Sequence, residues 1–226
     1  MCGTVRPGQG VPVTTRKRFA IDDLARIAVF AALIAVLGLP GAIPAFGGAV
    51  PITAQTLGVM LAGAVLGPWR GAAAIVVLEV LVAVGLPLLS GGRGGFGVFV
   101  GPSAGYLVGW IFGAFVVGAI VHAGSSRPTW WRTALGTVVG GILVIYAFGI
   151  PIQALVTQLP LGQTALTSLV FLPGDLIKAV LATIVTMALW RAYPRAFRRP
   201  AQTVAPVTAR TSPSDTTAPA PHEPTR

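Results

Sequence analysis

Six apolar runs follow one another along this chain, at residues 24–37, 51–66, 71–86, 104–121, 133–156 and 171–190, parted by glycine, proline and short basic clusters. Water is absent from a hydrocarbon core, so a spanning segment must bond its own backbone, and runs of roughly 15 to 24 residues do this as helices across about 30 Å. Some of them must tilt or sit in a thinned bilayer. A soluble domain is excluded on the same ground: 54% of the 226 residues are hydrophobic, 10% are charged and the mean hydropathy is +0.80. The expected fold is an all-α integral membrane protein, a six-transmembrane-helix bundle.

The basic residues set its orientation. Arg16, Lys17 and Arg18 precede the first run, Arg70 follows the second, Arg127 and Arg132 follow the fourth, and Arg191, Arg195, Arg198 and Arg199 close the sixth. With six crossings these all fall on one side, and the opposite loops carry Arg93 alone. The positive-inside rule then makes both termini cytoplasmic. The expected division is a basic leader at 1–20, a membrane domain at 21–192 and a Pro/Thr-rich cytoplasmic tail at 193–226, disordered for want of apolar periodicity. A net charge of +10 distributed in this way reads as cytoplasmic loops in a plasma membrane and not as nucleic-acid binding. Cys2 is the one cysteine, and His122 and His222 stand in no metal-ligand spacing, so neither a disulfide nor a metal site is expected.

Within the spans, polar residues are few and therefore informative. FLPGDLIKAV opens the sixth run with Asp175 and Lys178 three residues apart, nearly on one helical face. Charges at such depth usually face the protein interior and mark a pathway or a binding site; the plainer alternative is an ion pair that pins two helices. Pro173 suits a first turn and sets Asp175 near the positive end of the helix dipole. PITAQT at the start of the second run supplies Thr53 and Gln55. Glu79 lies in the middle of the third run, where a carboxylate must be neutral or turn inward to a donor. LLSGGRGGFGVFVGPS joins the third and fourth runs with six glycines around Arg93, a loop able to approach a ligand closely. Tyr106 opens the fourth run, in which Gly105, Gly109 and Gly113 are spaced for close helix packing. The fifth run is expected to kink or end near Gly149 and Pro151, and residues 158–169 read as a connector.

On this topology Asp175, Lys178, Arg93, Tyr106, Thr53 and Gln55 converge at one depth toward the cell exterior. Such a pocket suits a small solute with N–H donors and a carboxylate. The first run carries overlapping pairs of small residues, Ala28 with Ala32 and Ala31 with Ala35, a spacing that allows helices to dock but also arises by chance in alanine-rich helices.

PITAQTLGVMLAGAVLGPWRGA, GLPLLSGGRGGFGVFVGPSAGYLVGW and FLPGDLIKAVLA, in this order and across about residues 24–192, resemble the BioY family of biotin transporters. That resemblance implies a substrate-capture subunit, or S component, of an energy-coupling factor (ECF) transporter. It implies a bundle that binds biotin near its outer surface, capped by the first interhelical loop and the glycine-rich one. It places Asp175 and Lys178 in the biotin site. An ionised Asp175 suits ureido N–H groups and the Lys178 ammonium suits the valerate carboxylate. The alanines Ala28, Ala31, Ala32 and Ala35 are implied to pack on the transmembrane coupling subunit.

Two positions depart from the family pattern. Many relatives carry an aromatic residue in place of Glu79, which reads as a ligand contact or as a private hydrogen-bonding position. Arg93 reads as a carboxylate clamp or as a solvated loop charge. Biotin is the transported ligand and no cofactor is expected. No Walker sequence is present, so ATP hydrolysis falls to ABC-type ATPase subunits working through the coupling subunit. The alternatives are a stand-alone proton-coupled carrier titrating at Glu79 or Asp175 and a membrane enzyme, for which no nucleophile or zinc motif speaks.

Overall fold

The computed structural model describes residues 21–39, 43–44, 51–124 and 127–194. The expected leader, nearly all of the tail with His222, and most of the first interhelical loop lie outside the described residues. Among the described residues eight α-helices form: α1 Ile21–Val36, α2 Gln55–Leu66, α3 Pro68–Ala83, α4 Ala104–Val121, α5 Trp130–Val138, α6 Ile145–Thr157, α7 Leu161–Ser168 and α8 Leu172–Ala192. A π-helical stretch, Val139–Val144, joins α5 to α6 without a break, and a 3₁₀ turn, Leu169–Phe171, joins α7 to α8. Two residue pairs, Ile43–Pro44 and Pro51–Ile52, run antiparallel ahead of α2. The other regular elements among the described residues are helical, as an apolar chain in lipid requires. Among the described residues three continuous helical stretches, Ala104–Val121, Trp130–Thr157 and Leu161–Ala192, are long and apolar enough to cross a membrane. The remaining long helices, α1, α2 and α3, have 16, 12 and 16 residues.

Several boundaries differ from the sequence reading, each for a local reason. The second run becomes helical only at Gln55, whose N–H is accepted by the Thr53 hydroxyl at 3.3 Å, so Thr53 satisfies a donor that a helix start leaves open. The third begins earlier: Gly67, at φ +84°, makes the turn alone and Pro68 starts α3, so Trp69 and Arg70 stand in its first turn. The fifth neither ends nor breaks at Pro151, which is carried inside α6. Packing against neighbouring helices makes an internal proline tolerable in such a bundle. Residues taken for a connector form α7, whose first turn is held by Thr164 donating to the Pro160 carbonyl at 3.2 Å.

The hub is α4, which packs on α2, α3, α5 and α6. Its glycines explain why. A Cβ at Gly105 would stand 2.5 Å from the Phe148 carbonyl oxygen, and one at Gly113 2.7 Å from that of Gly140, so α4 lies backbone to backbone against α6 and the π stretch. Gly149 returns the relation from the other side: its Cβ would meet the Tyr106 ring at 2.4 Å. Tyr106 is buried and its hydroxyl is held on α6 and α7, so the ring has little room to retreat. Gly149→Ala is therefore expected to cost about 1–3 kcal/mol of stability, read as a lowered midpoint of thermal unfolding in detergent.

The two ends of the bundle differ in chemistry. At one end the Arg70 guanidinium pairs with Asp23 at 3.0 Å, joining the starts of α1 and α3. His122 Nε2 lies 3.0 Å from the Ala64 carbonyl oxygen, and Arg132 donates to the Ala123 carbonyl. Arg191, in the last turn of the 21-residue α8, belongs at this end too, about 30 Å along the axis from Leu172. Trp69, Trp130 and Trp131 are exposed there. At the other end stand the starts of α2, α4 and α8 and the glycine-rich loop, and there the chain leaves a cavity.

The alanines of α1 do not act as one face. Successive residues turn by about 100°, so the four positions sweep roughly a quarter of the circumference. Ala28 and Ala32 point outward and exposed, whereas Ala31 is buried in the bundle's own core and Ala35 packs partly against it. Ala31 is thus withdrawn from the surface in this packing, and Ala35 lies at the boundary.

Candidate functional site

Four segments distant in sequence close around one cavity, which holds about 650 Å³ of space unoccupied by atoms, its open mouth included. Its polar lining comes from Thr53, Gln55 and Thr56 at the start of α2, Arg93 in the glycine loop, Ser103 before α4, Tyr146 on α6, and Asp175 and Lys178 on α8. The apolar wall includes Leu107, Trp110, Ile145 and Phe171. An apolar chamber with a few convergent polar groups is the usual form of a small-molecule site.

Asp175 and Lys178 both enter it, as their spacing requires. Lys178 Nζ lies 2.9 Å from Asp175 Oδ1 and donates to the Thr56 hydroxyl at 3.0 Å; that hydroxyl in turn donates to Oδ1 at 3.4 Å. The Tyr146 hydroxyl donates to Oδ2 at 2.7 Å. The side chains are 7% and 14% exposed, so neither charge is sustained by water and the pair depends on this network. A carboxylate has about four lone-pair sites and an ammonium three donors. By this count protein groups leave one acceptor site on Oδ2 and one N–H on Lys178 unfilled. Tyr146→Phe removes a hydrogen bond to a charged group, worth about 1.5–3 kcal/mol. It is expected to weaken ligand binding about tenfold by equilibrium titration.

Gln55 and Tyr106 line the cavity but use their polar ends elsewhere. Gln55 is 1% exposed; its Nε2 donates to the carbonyls of Ile34 at 3.3 Å and Leu88 at 3.0 Å, and its Oε1 accepts the Ser90 N–H at 3.0 Å. It thus ties α1 and the glycine loop to the start of α2 and is a positioning residue. The Tyr106 hydroxyl donates to Gln153 Oε1 at 2.9 Å and lies 3.1 Å from the Ser168 hydroxyl, leaving the ring to face the cavity. Its edge meets the ring of Tyr146, centroids 6.4 Å apart and planes at 81°.

Arg93 belongs to a tight turn in which Leu89 and Arg93 exchange backbone hydrogen bonds at 3.0 and 3.2 Å around Gly91 and Gly92, both at positive φ. The turn brings Arg93 to the cavity lining, where Nε donates to the Ser90 carbonyl at 3.3 Å and Nη1 to the Ser103 hydroxyl at 3.3 Å. Desolvation lowers its pKa from the ordinary arginine value.

Glu79 does not join this set. It is buried among Ile75, Leu78 and Val82 on the inner face of α3, but no α3 residue lines the cavity, because the loop after α3 supplies that part of the wall. Its Oε1 has no hydrogen-bond partner among the described residues. Conversely, Thr56, Tyr146 and Ser103 stand at the site without having been singled out from the sequence. A lone tyrosine in the apolar fifth run was the available signal, since a buried phenol needs a partner.

The profile of the BioY family matches residues 12–195. The biotin transporter BioY of Rhizobium etli is 49% identical over 177 residues, 76% of this chain and 95% of its own. That of Rhodobacter capsulatus is 48% identical over 179 residues, 75% of this chain and 94% of its own. Among solved structures, the S-component for biotin from an ECF-type ABC transporter superposes with a TM-score of 0.73 at 31% identity, covering 79% of this chain and 96% of that one.

Proposed function

Because the chain belongs to the BioY family, we propose that it is a biotin-binding membrane subunit that captures biotin outside the cell and delivers it inward within an ATP-driven ECF transporter. It is a transport protein and not an enzyme. The observation that carries the reading is the cavity itself, whose polar lining includes the buried Asp175–Lys178 pair, with acceptor and donor capacity that protein groups do not fill. A ureido ring has the complementary N–H and C=O edge. The apolar body of biotin then meets Trp110, Leu107 and the rings of Tyr106 and Phe171.

Six membrane crossings follow if α1, α2 and α3 cross in a tilted or locally thinned bilayer. The arginine- and tryptophan-bearing end then lies in the cytoplasm, with both termini, and the cavity opens outward in the plasma membrane. A transmembrane coupling subunit docks on the outward face of α1 at Ala28 and Ala32, and ABC-type ATPases drive the reorientation that presents the cavity to the cytoplasm. Uptake of labelled biotin tests this assembly. Cells expressing the chain with coupling and ATPase subunits should accumulate biotin, and an ATPase mutated in its Walker lysine should abolish accumulation. Undiminished uptake without those subunits, sensitive to a protonophore, would instead establish a stand-alone proton-coupled carrier.

A further inference from the structure

We infer that Arg93, and not Lys178, takes the ligand carboxylate, so that the glycine loop selects for a free acid. The inference rests on the biotin reading and assigns the two ends of that ligand. The cavity is lined by one carboxylate, Asp175, and two cations, Lys178 and Arg93, and so carries one net positive charge, the complement of a monoanion.

Lys178 is already neutralised by Asp175 at 2.9 Å, and together they present one acceptor and one donor, the edge of an uncharged ureido group. Were the ammonium to take the carboxylate, Asp175 would be left beside that anion with a partner to share. Arg93 has no carboxylate within 4.0 Å among the described residues. Its guanidinium is oriented by Ser90 and Ser103, which occupy two of its five N–H donors and leave three for a ligand. The planar fork matches a carboxylate in two-point contact, which a lysine cannot reproduce. The guanidinium stays charged but is partly stripped of water, and an anionic ligand restores what the solvent no longer supplies.

The test is calorimetric titration of biotin and of its uncharged methyl ester into the detergent-solubilised wild type, Arg93→Gln and Arg93→Lys. The wild type should prefer biotin by roughly 10- to 100-fold, the strength of a hydrogen bond to a charged group. Arg93→Gln should lose that preference by weakening biotin alone, with ester affinity within about twofold, and Arg93→Lys should retain part of it. Equal weakening of both ligands would reduce Arg93 to a support for the loop, and equal wild-type affinity for acid and ester would also overturn the assignment. Wild-type protein that bound neither would instead bring down the biotin reading itself.

Discussion

Asp175→Ala is expected to weaken biotin binding by on the order of 100- to 1000-fold, and Lys178→Ala by a comparable factor. Each change removes a ligand contact and also strips its partner. Without Asp175 the Lys178 ammonium remains 14% exposed and without its counter-charge, a defect worth about 3–5 kcal/mol when one member of a buried pair is removed. The Tyr146 and Thr56 hydroxyls lose their acceptor as well. Asp175→Asn keeps the volume and an acceptor oxygen, so a fall in affinity for this variant with an unchanged unfolding midpoint isolates the charge from the fold. Equilibrium titration with biotin reads the first quantity and thermal unfolding the second. Affinity within about twofold of wild type in both Asp175→Asn and Lys178→Ala would remove the pair from the site.

The second large effect is expected at the opposite surface. Ala28→Trp and Ala32→Trp place bulk on the outward face of α1, where both positions are exposed and the substitution meets no residue of the bundle's core. Small residues allow close backbone approach between membrane helices. An indole at either position should therefore abolish co-purification with the coupling subunit and, with it, uptake. Biotin affinity of the isolated subunit should stay within about twofold, because the cavity lies elsewhere. Ala31→Trp should fail differently: this residue is 3% exposed within the core, so overpacking should lower stability before docking is at issue. Co-purification that survives Ala28→Trp and Ala32→Trp would move the docking surface off this face of α1.

These contrasts show what a linear reading can reach. The Asp175–Lys178 spacing fixed one face of α8, and an apolar environment fixed that face inward, so the pair was legible at once. Glu79 failed the same rule for a topological reason: α3 buries it, but the chain puts the cavity wall in the loop beyond. Gln55 and Tyr106 line the cavity, yet their polar ends are already committed to Leu88, Ser90, Gln153 and Ser168. Such commitments depend on partners up to 62 residues away and leave no local trace. The alanine repeat of α1 does not form one exposed face: its i, i+4 pairs span a quarter-turn, over which Ala28 and Ala32 are exposed and Ala31 is buried. The π stretch at Val139–Val144 was masked by Gly149 and Pro151, which suggested a break farther along. It instead carries Gly141 past Met60 and leads into Tyr146, a cavity residue without a motif of its own.

The central claim, that this cavity is built for biotin, is tested most directly by calorimetric titration of the detergent-solubilised protein with biotin, thiamine and riboflavin in parallel. Biotin should bind at a single site and the other two vitamins should give no binding heat. Absence of biotin binding, or binding of thiamine or riboflavin with equal affinity, would contradict it.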